Sequence, residues 1–404
     1  MDILRLNLIY RYIFVSLLII VSADNFWFSG NAAEEYEYIR YAFLILVPLF
    51  MFFKKRNYID SKKNLLVFVT ILLLFFSSLI NDGKISGGAA LVAVLIMGSY
   101  IIVSWIPFDE FFKYFSNLLL YATLFSFVVW LLAEQLNLLP LDGTISKGGG
   151  YVESFGFCNF FHKRNMFVFR EPGVFQVYIN FALLFEIIYL NGELKKSHLL
   201  IYIAGILSTM SSAGFAGLFL ILLLLILMKK NGYNKIVLFL FLIAFVFAIL
   251  TNAMYQQEVI AKFSSTDEAS SAMSRTAAII VPISILINSI SNFLFGVGIS
   301  GIEKSYPVFS RSAMGFDLDF WGNATNTFFI PAAIFGAWIL ILFLGGYYRL
   351  ALKIIRVKGI RLFLVIIILL VLFSNEGMHY SIFPYLLVMY GINKNDLFIL
   401  RSEK

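Results

Sequence analysis

Residues 198–228 read HLLIYIAGILSTMSSAGFAGLFLILLLLILM and lie between Lys195-Lys196 and Lys229-Lys230. As a single membrane span this stretch puts one lysine pair on each side of the bilayer. As a hairpin of two short helices turning at Ser211-Ser212-Ala213-Gly214 it keeps both pairs inside, where lysine and arginine concentrate in membrane proteins. The hairpin also sets its turn below the outer surface, where protein or water must surround the backbone.

Working outward, apolar runs long enough to cross about 30 Å of hydrocarbon fall near 8–23, 37–53, 64–80, 88–106, 115–135, 174–190, 235–253, 325–347, 360–375 and 380–392. With the hairpin they make twelve spans. Residues 276–295, TAAIIVPISILINSISNFLF, are nearly long enough to cross as well. Crossing there would turn Arg349, Lys353, Arg356, Lys358 and Arg361 outward. Pro282, Ser284, Asn288, Ser289, Ser291 and Asn292 also suit lipid poorly, so about 276–293 is laid along the outer interface as an amphipathic helix. The expected fold is an all-α polytopic integral membrane protein. It is a single membrane domain over 1–404, with about 12 transmembrane helices and both termini inside.

Composition agrees. Of the 404 residues 60% are hydrophobic and 14% charged, against about 25% charged in soluble domains. The alternating segments of a β-barrel are absent. Segment 8–22 lacks a signal-peptidase site and reads as the first span. Cys158 is the only cysteine, which excludes an intrachain disulfide and a multi-Cys zinc site. The net charge of +7 reflects topology, because the inner side takes 21 of the 31 lysines and arginines; nucleic acid is not an expected partner. Five arginines remain outside against that bias.

Two outer segments are long, about 136–173 and 254–324, and long loops are usually functional. The inner side has no GxxxxGK[ST], no GxGxxG after a strand and no soluble domain, which argues against an ATP-driven pump. The first loop ends in NMFVFREPG, where Pro172 suits the first turn of a helix. The free N–H groups of that turn point outward, so Arg170 beside them, with Arg164 nearby, either makes a place for phosphate or is an interfacial arginine snorkelling to lipid headgroups. Glu171 reads either as a capping charge or as a catalyst. The second loop supplies Arg275, Arg311 and LFGVGISG, in which Gly296 and Gly298 either let a ligand approach the backbone or shape a turn. It ends in WGNATNTFF with Asn326. Asp317-Leu318-Asp319 has DxD spacing, a common chance match, and no metal site is assigned. Glu376 is a carboxylate at membrane depth, and His379 is an outer histidine that serves either as a base or structurally.

These residues carry a resemblance. Arg164…Arg170-Glu171-Pro172-Gly173, Ser211-Ser212-Ala213-Gly214, Arg275 followed by Leu294-Phe295-Gly296-Val297-Gly298, and Asn326-Thr327 before Gly336 resemble the O-antigen polymerases of the Wzy type. That group belongs to a superfamily with the O-antigen ligases. Arg311 and Gly322 have a spacing described for some polymerases. Thr325 stands where the ligase-like pattern has histidine, and Ala213 where the hairpin often has arginine.

The resemblance implies a metal- and cofactor-independent glycosyltransferase of lipopolysaccharide biosynthesis in the bacterial inner membrane. It would join undecaprenyl-diphosphate-linked oligosaccharides at the periplasmic face, with a chain-length regulator and a flippase as partners. Arg164, Arg170, Arg275, Arg311, Gly296, Gly298 and Asn326 would bind substrate. Glu171, Glu376 and His379 are the catalytic candidates. The alternatives are a ligase-like enzyme, another polyprenyl-phosphate-dependent glycosyltransferase using early-loop acids such as Asp24, Glu34 and Glu35, or a lipid-oligosaccharide flippase. A flippase would be expected to show internal repeats, and none is found.

Overall fold

The computed structural model describes residues 3–22, 42–46, 61–145, 151–229, 271–323, 325–355 and 359–393, with the short pieces 235–236 and 239. In the first half the unbroken apolar runs are helical: α1 (Ile3–Ser22), α2 (Ser61–Asp82), α3 (Gly87–Trp105) and α4 (Phe108–Trp130), which a π-helical turn prolongs to Gln135. A helix pairs its backbone groups within the segment, the condition for crossing hydrocarbon. Ser86 starts α3 by accepting from the Ala89 N–H at 3.3 Å.

The next helix, α5 (Pro172–Tyr189), carries apolar residues all round apart from Gln176, Asn180 and Glu186 and is 89% buried, whereas α2 is 28% buried. A helix hydrophobic all round belongs in the interior. Accordingly α4, α6 (Lys196–Thr209) and α7 (Ser212–Met228) pack around it. The last two form the hairpin expected of 198–228. Its turn falls at Met210-Ser211, slightly earlier than the sequence suggests. Met210 takes the left-handed conformation (φ 46°, ψ 38°), and Ser211 Oγ accepts the Gly214 N–H at 3.4 Å to open α7.

The loop 136–173 departs from an all-α architecture. It folds as an antiparallel meander, β1 (Asp142–Ile145), β2 (Tyr151–Phe155), β3 (Cys158–Phe161) and β4 (Arg164–Phe167), hydrogen-bonded in that order. Strands of four or five residues are too short to show a period against an aromatic background. His162 and Lys163 make the two-residue turn between β3 and β4 with φ of 49° and 61°, the geometry that matches strand twist. Cys158 and Phe160 cluster with Val129, Trp130 and Met210, so the sheet sits on the end of α4 and the hairpin turn.

The second half contains α8 (Ser271–Ile287), α9 (Ile290–Phe295), α10 (Ile299–Met314), α11 (Phe320–Asn323), α12 (Phe329–Phe335), α13 (Ala337–Ile354), α14 (Ile360–Ser374) and α15 (Ile382–Ile392). The helix expected over 276–293 begins at Ser271 and breaks after Ile287, where Ser289 caps α9 through the Asn292 N–H. The span expected over 325–347 is also broken, at Gly336.

Gly296 and Gly336 share one cause. Both have positive φ, and a β-carbon on either would collide with backbone of the other segment. Val297 N–H donates to Ala333 O at 2.9 Å and Gly298 N–H to Ile334 O at 3.0 Å. Gly296→Ala is therefore expected to cost about 2 kcal/mol or more through overpacking and backbone strain. Thermal unfolding in detergent checks this, with Gly345→Ala as control, since nothing lies near its β-carbon position. Equal midpoints for the two variants would refute it.

Five described helices are long and apolar enough to cross a membrane, short of the twelve spans expected. The breaks at Met210-Ser211 and Gly336 leave α6, α7 and α12 below the roughly 20 residues a span needs, and α14 and α15 are short as well. The expected spans 37–53 and 235–253 lie outside the described residues apart from short pieces.

Candidate functional site

Four elements converge at the end of the bundle that carries the sheet. Pro172 occupies the first turn of α5, as its sequence requires, with Glu171 as N-cap. The Glu171 carbonyl accepts from Val174 and Phe175 N–H at 3.1 and 3.2 Å, but its carboxylate caps nothing and lies 3.2 Å from Arg170 Nε. That pair is about half exposed and holds little energy by itself.

Over the same turn lies Glu376, from the connection between α14 and α15. A β-carbon on Gly173 would fall 2.6 Å from Glu376 Oε2 and nearer still to Oε1. Only glycine lets that carboxyl rest against the first turn of α5, where the helix dipole favours negative charge. Thr327 holds the connection in place: its Oγ1 donates to Glu376 O at 2.5 Å and accepts the Met378 N–H at 3.0 Å.

The arginines come from three directions. Arg164, opening β4, donates from Nε to Thr209 O at 3.1 Å and so satisfies the end of α6. Arg275, on α8, donates from Nη1 to Ser212 Oγ at 2.5 Å, at the start of α7. Both therefore grip the hairpin turn. Burial pushes the Glu376 carboxyl up to about 7; the Glu171 charge acts the same way, and Arg275, Arg170 and Arg164 oppose it. Three guanidinium groups around two carboxyls leave a net positive site with one acid poised near neutrality, an arrangement that suits an anion and a proton transfer.

The structure thus brings Arg164, Arg170, Arg275, Glu171 and Glu376 together. It gives other expected site residues different work. Arg311, exposed at the end of α10, pairs with Asp317, which also occupies one acid of the DxD. Arg311→Ala should leave activity close to that of wild type, since an exposed ion pair holds little energy; a large fall in chain-extension rate would return it to the site. Gly296 and Gly298 serve backbone packing between segments. Asn326 is fully buried and committed to scaffold: its Oδ1 accepts from Phe328 and Phe329 N–H at 2.8 and 2.9 Å, and its Nδ2 donates to Ser374 O at 2.9 Å. It ties the chain entering α12 to the end of α14, just before Glu376. His379 is buried in the Glu376 connection, its ring 4.5 Å from that of Tyr380, and its carbonyl accepts from Tyr385 at 2.8 Å. Asp24, Glu34 and Glu35 lie outside the described residues. Among the described residues no cluster of three or more His, Cys, Asp or Glu could hold a metal.

Four residues escaped the sequence reading. Gly173 and Ser212 stood in quoted motifs without a role. Gln176 and Asn180 lie on the same face of α5, below Gly173, and both are fully buried. Asn180 Nδ2 donates to Gln176 Oε1 at 2.9 Å and to Gly214 O at 3.2 Å, joining α5 to α7 beneath the site. Two amides in a helix otherwise apolar all round were the available signal.

No family model, no curated protein and no solved structure matches this chain.

Proposed function

We propose that the chain is a membrane glycosyltransferase that joins lipid-diphosphate-linked oligosaccharide repeat units, an O-antigen polymerase of the Wzy type. The observation that carries this reading is the Glu376 carboxyl, buried against the first turn of α5 within the fields of Arg164, Arg170 and Arg275. The donor is the growing glycan on undecaprenyl diphosphate, and the acceptor is the next lipid-linked unit. The acceptor hydroxyl oxygen bonds to the donor's anomeric carbon. The bond from that carbon to the diphosphate oxygen breaks, and its electron pair leaves with the lipid diphosphate. The hydroxyl proton passes to the Glu376 carboxylate, whose raised pKa lets it hold a proton near neutral pH.

The arginines meet charge as it gathers on the leaving diphosphate, where preorganised donors contribute most. The diphosphate bond supplies the donor energy, so the reaction calls for no nucleotide. This reading puts the protein in a bacterial inner membrane, with its site facing the periplasm and a chain-length regulator and flippase as partners.

The test is deletion of the gene in a host that makes the repeat unit, followed by a lipopolysaccharide gel. The expected result is loss of the ladder with a single repeat still attached to the core. A repeat-free core with lipid-linked polymer would replace the reading with a ligase. Repeat units trapped on the inner side would replace it with a flippase.

A further inference from the structure

At the opposite end of α4 and α5 a cavity of about 190 Å³ opens between the two helices and the last turn of α13. Along α4 it lies some 25 Å from Trp130, at 1.5 Å per residue. Its apolar wall is formed by Phe112 and Phe185, whose rings stack at 3.6 Å, and by Ile354. Its polar lining carries both signs. Asp109, Lys113 and Asn117 follow one another at four-residue spacing on α4, with Asp109 and Lys113 exposed at the mouth. Glu186 faces them from α5, its Oε1 fixed 2.5 Å from His198 Nδ1.

The stripe that begins at Lys113 and Asn117 continues along α4 as Tyr121, Leu124, Phe125 and Val128, all exposed. A charged cleft with both signs therefore leads directly into an uncovered apolar strip on one helix face.

We infer that this cleft binds a zwitterionic phospholipid. Lys113 takes the phosphate, Asp109 and Glu186 take the ammonium, and an acyl chain lies along Tyr121–Val128. Basic pockets between membrane helices hold lipid headgroups by the same electrostatics; the two carboxylates select a headgroup that also carries positive charge. The site is separate from the arginine cluster and stands or falls without it.

Native mass spectrometry of the detergent-purified full chain tests this, with phosphatidylethanolamine and phosphatidylglycerol offered in equal amounts. The wild type should retain one phosphatidylethanolamine in preference to phosphatidylglycerol. Lys113→Glu should lower that retention about fivefold or more, since it removes one exposed ion pair and sets a carboxylate against the phosphate, and Asp109→Asn should shift the preference toward phosphatidylglycerol. Lys113→Gln replaces the first variant if its thermal midpoint shows misfolding. Equal retention of both lipids, a preference for phosphatidylglycerol in the wild type, or retention unchanged by both substitutions would overturn the proposal. So would equal protection against unfolding by free phosphoethanolamine, because the apolar strip would then contribute nothing.

Discussion

Glu376→Gln is expected to insert and fold yet to extend glycan chains about 10²–10⁴-fold more slowly, the usual contribution of a positioned base. The amide keeps the shape that rests against Gly173 but cannot take a proton. The pH dependence gives a second readout. With the carboxyl titrating near 7, the wild-type rate should rise between about pH 6 and 8, while affinity for the anionic donor falls as Glu376 gains charge. Stability should move in the opposite sense to rate. The folded carboxyl keeps a proton that the unfolded chain releases near its ordinary value, so stability declines as pH rises from about 4.5 to about 7 and is then level.

In Glu376→Gln all three trends should flatten. Gly173→Ala gives the complementary case: it leaves the carboxylate in the chain but displaces it from the helix turn, and displacement by about 1 Å can cost about 10²-fold. A Glu376→Gln enzyme within threefold of wild type, still accelerating through pH 7, would remove Glu376 from the chemistry.

Arg275→Ala should slow extension about 10²–10³-fold, in line with the loss of one preorganised donor to a developing oxyanion. Arg275→Lys should recover little, since a point charge does not reproduce the planar fork. The guanidinium also tethers Ser212, so part of the loss could reflect a displaced hairpin rather than missing charge. Ser212→Ala separates the two, because it cuts the tether and spares the cation. The charge account expects Ser212→Ala to lose less than about tenfold, a modest positional change beside the missing donor. Equal losses in Ser212→Ala and Arg275→Ala would assign Arg275 to scaffolding, and a normal polymer ladder from Arg275→Ala would remove it from the site altogether.

Much of this molecule is legible without coordinates, and the legible part is local. The lysine pairs around 198–228 imply a hairpin because charge placement across a bilayer depends only on order along the chain. Pro172 predicts a helix start because its ring suits a first turn whatever surrounds it.

Tertiary structure decided what no local pattern carries. The break at Gly336 shortens an apparent span because its backbone meets that of Leu294-Phe295 at a distance only packing imposes. In the sheet of 136–173, Cys158 and Phe160 of β3 take their burial from Trp130 and Met210, which come from separate segments. Arg311 and Asn326 resemble ligand contacts in sequence, yet one finds Asp317 and the other three backbone groups. Above all, Glu376 acquires its raised pKa by lying on Gly173, a residue remote in the chain. Burial and the summed fields of Arg164, Arg170, Arg275 and Glu171 are properties of that meeting, and they exist only once α5, α8, the sheet and the α14–α15 connection have packed together.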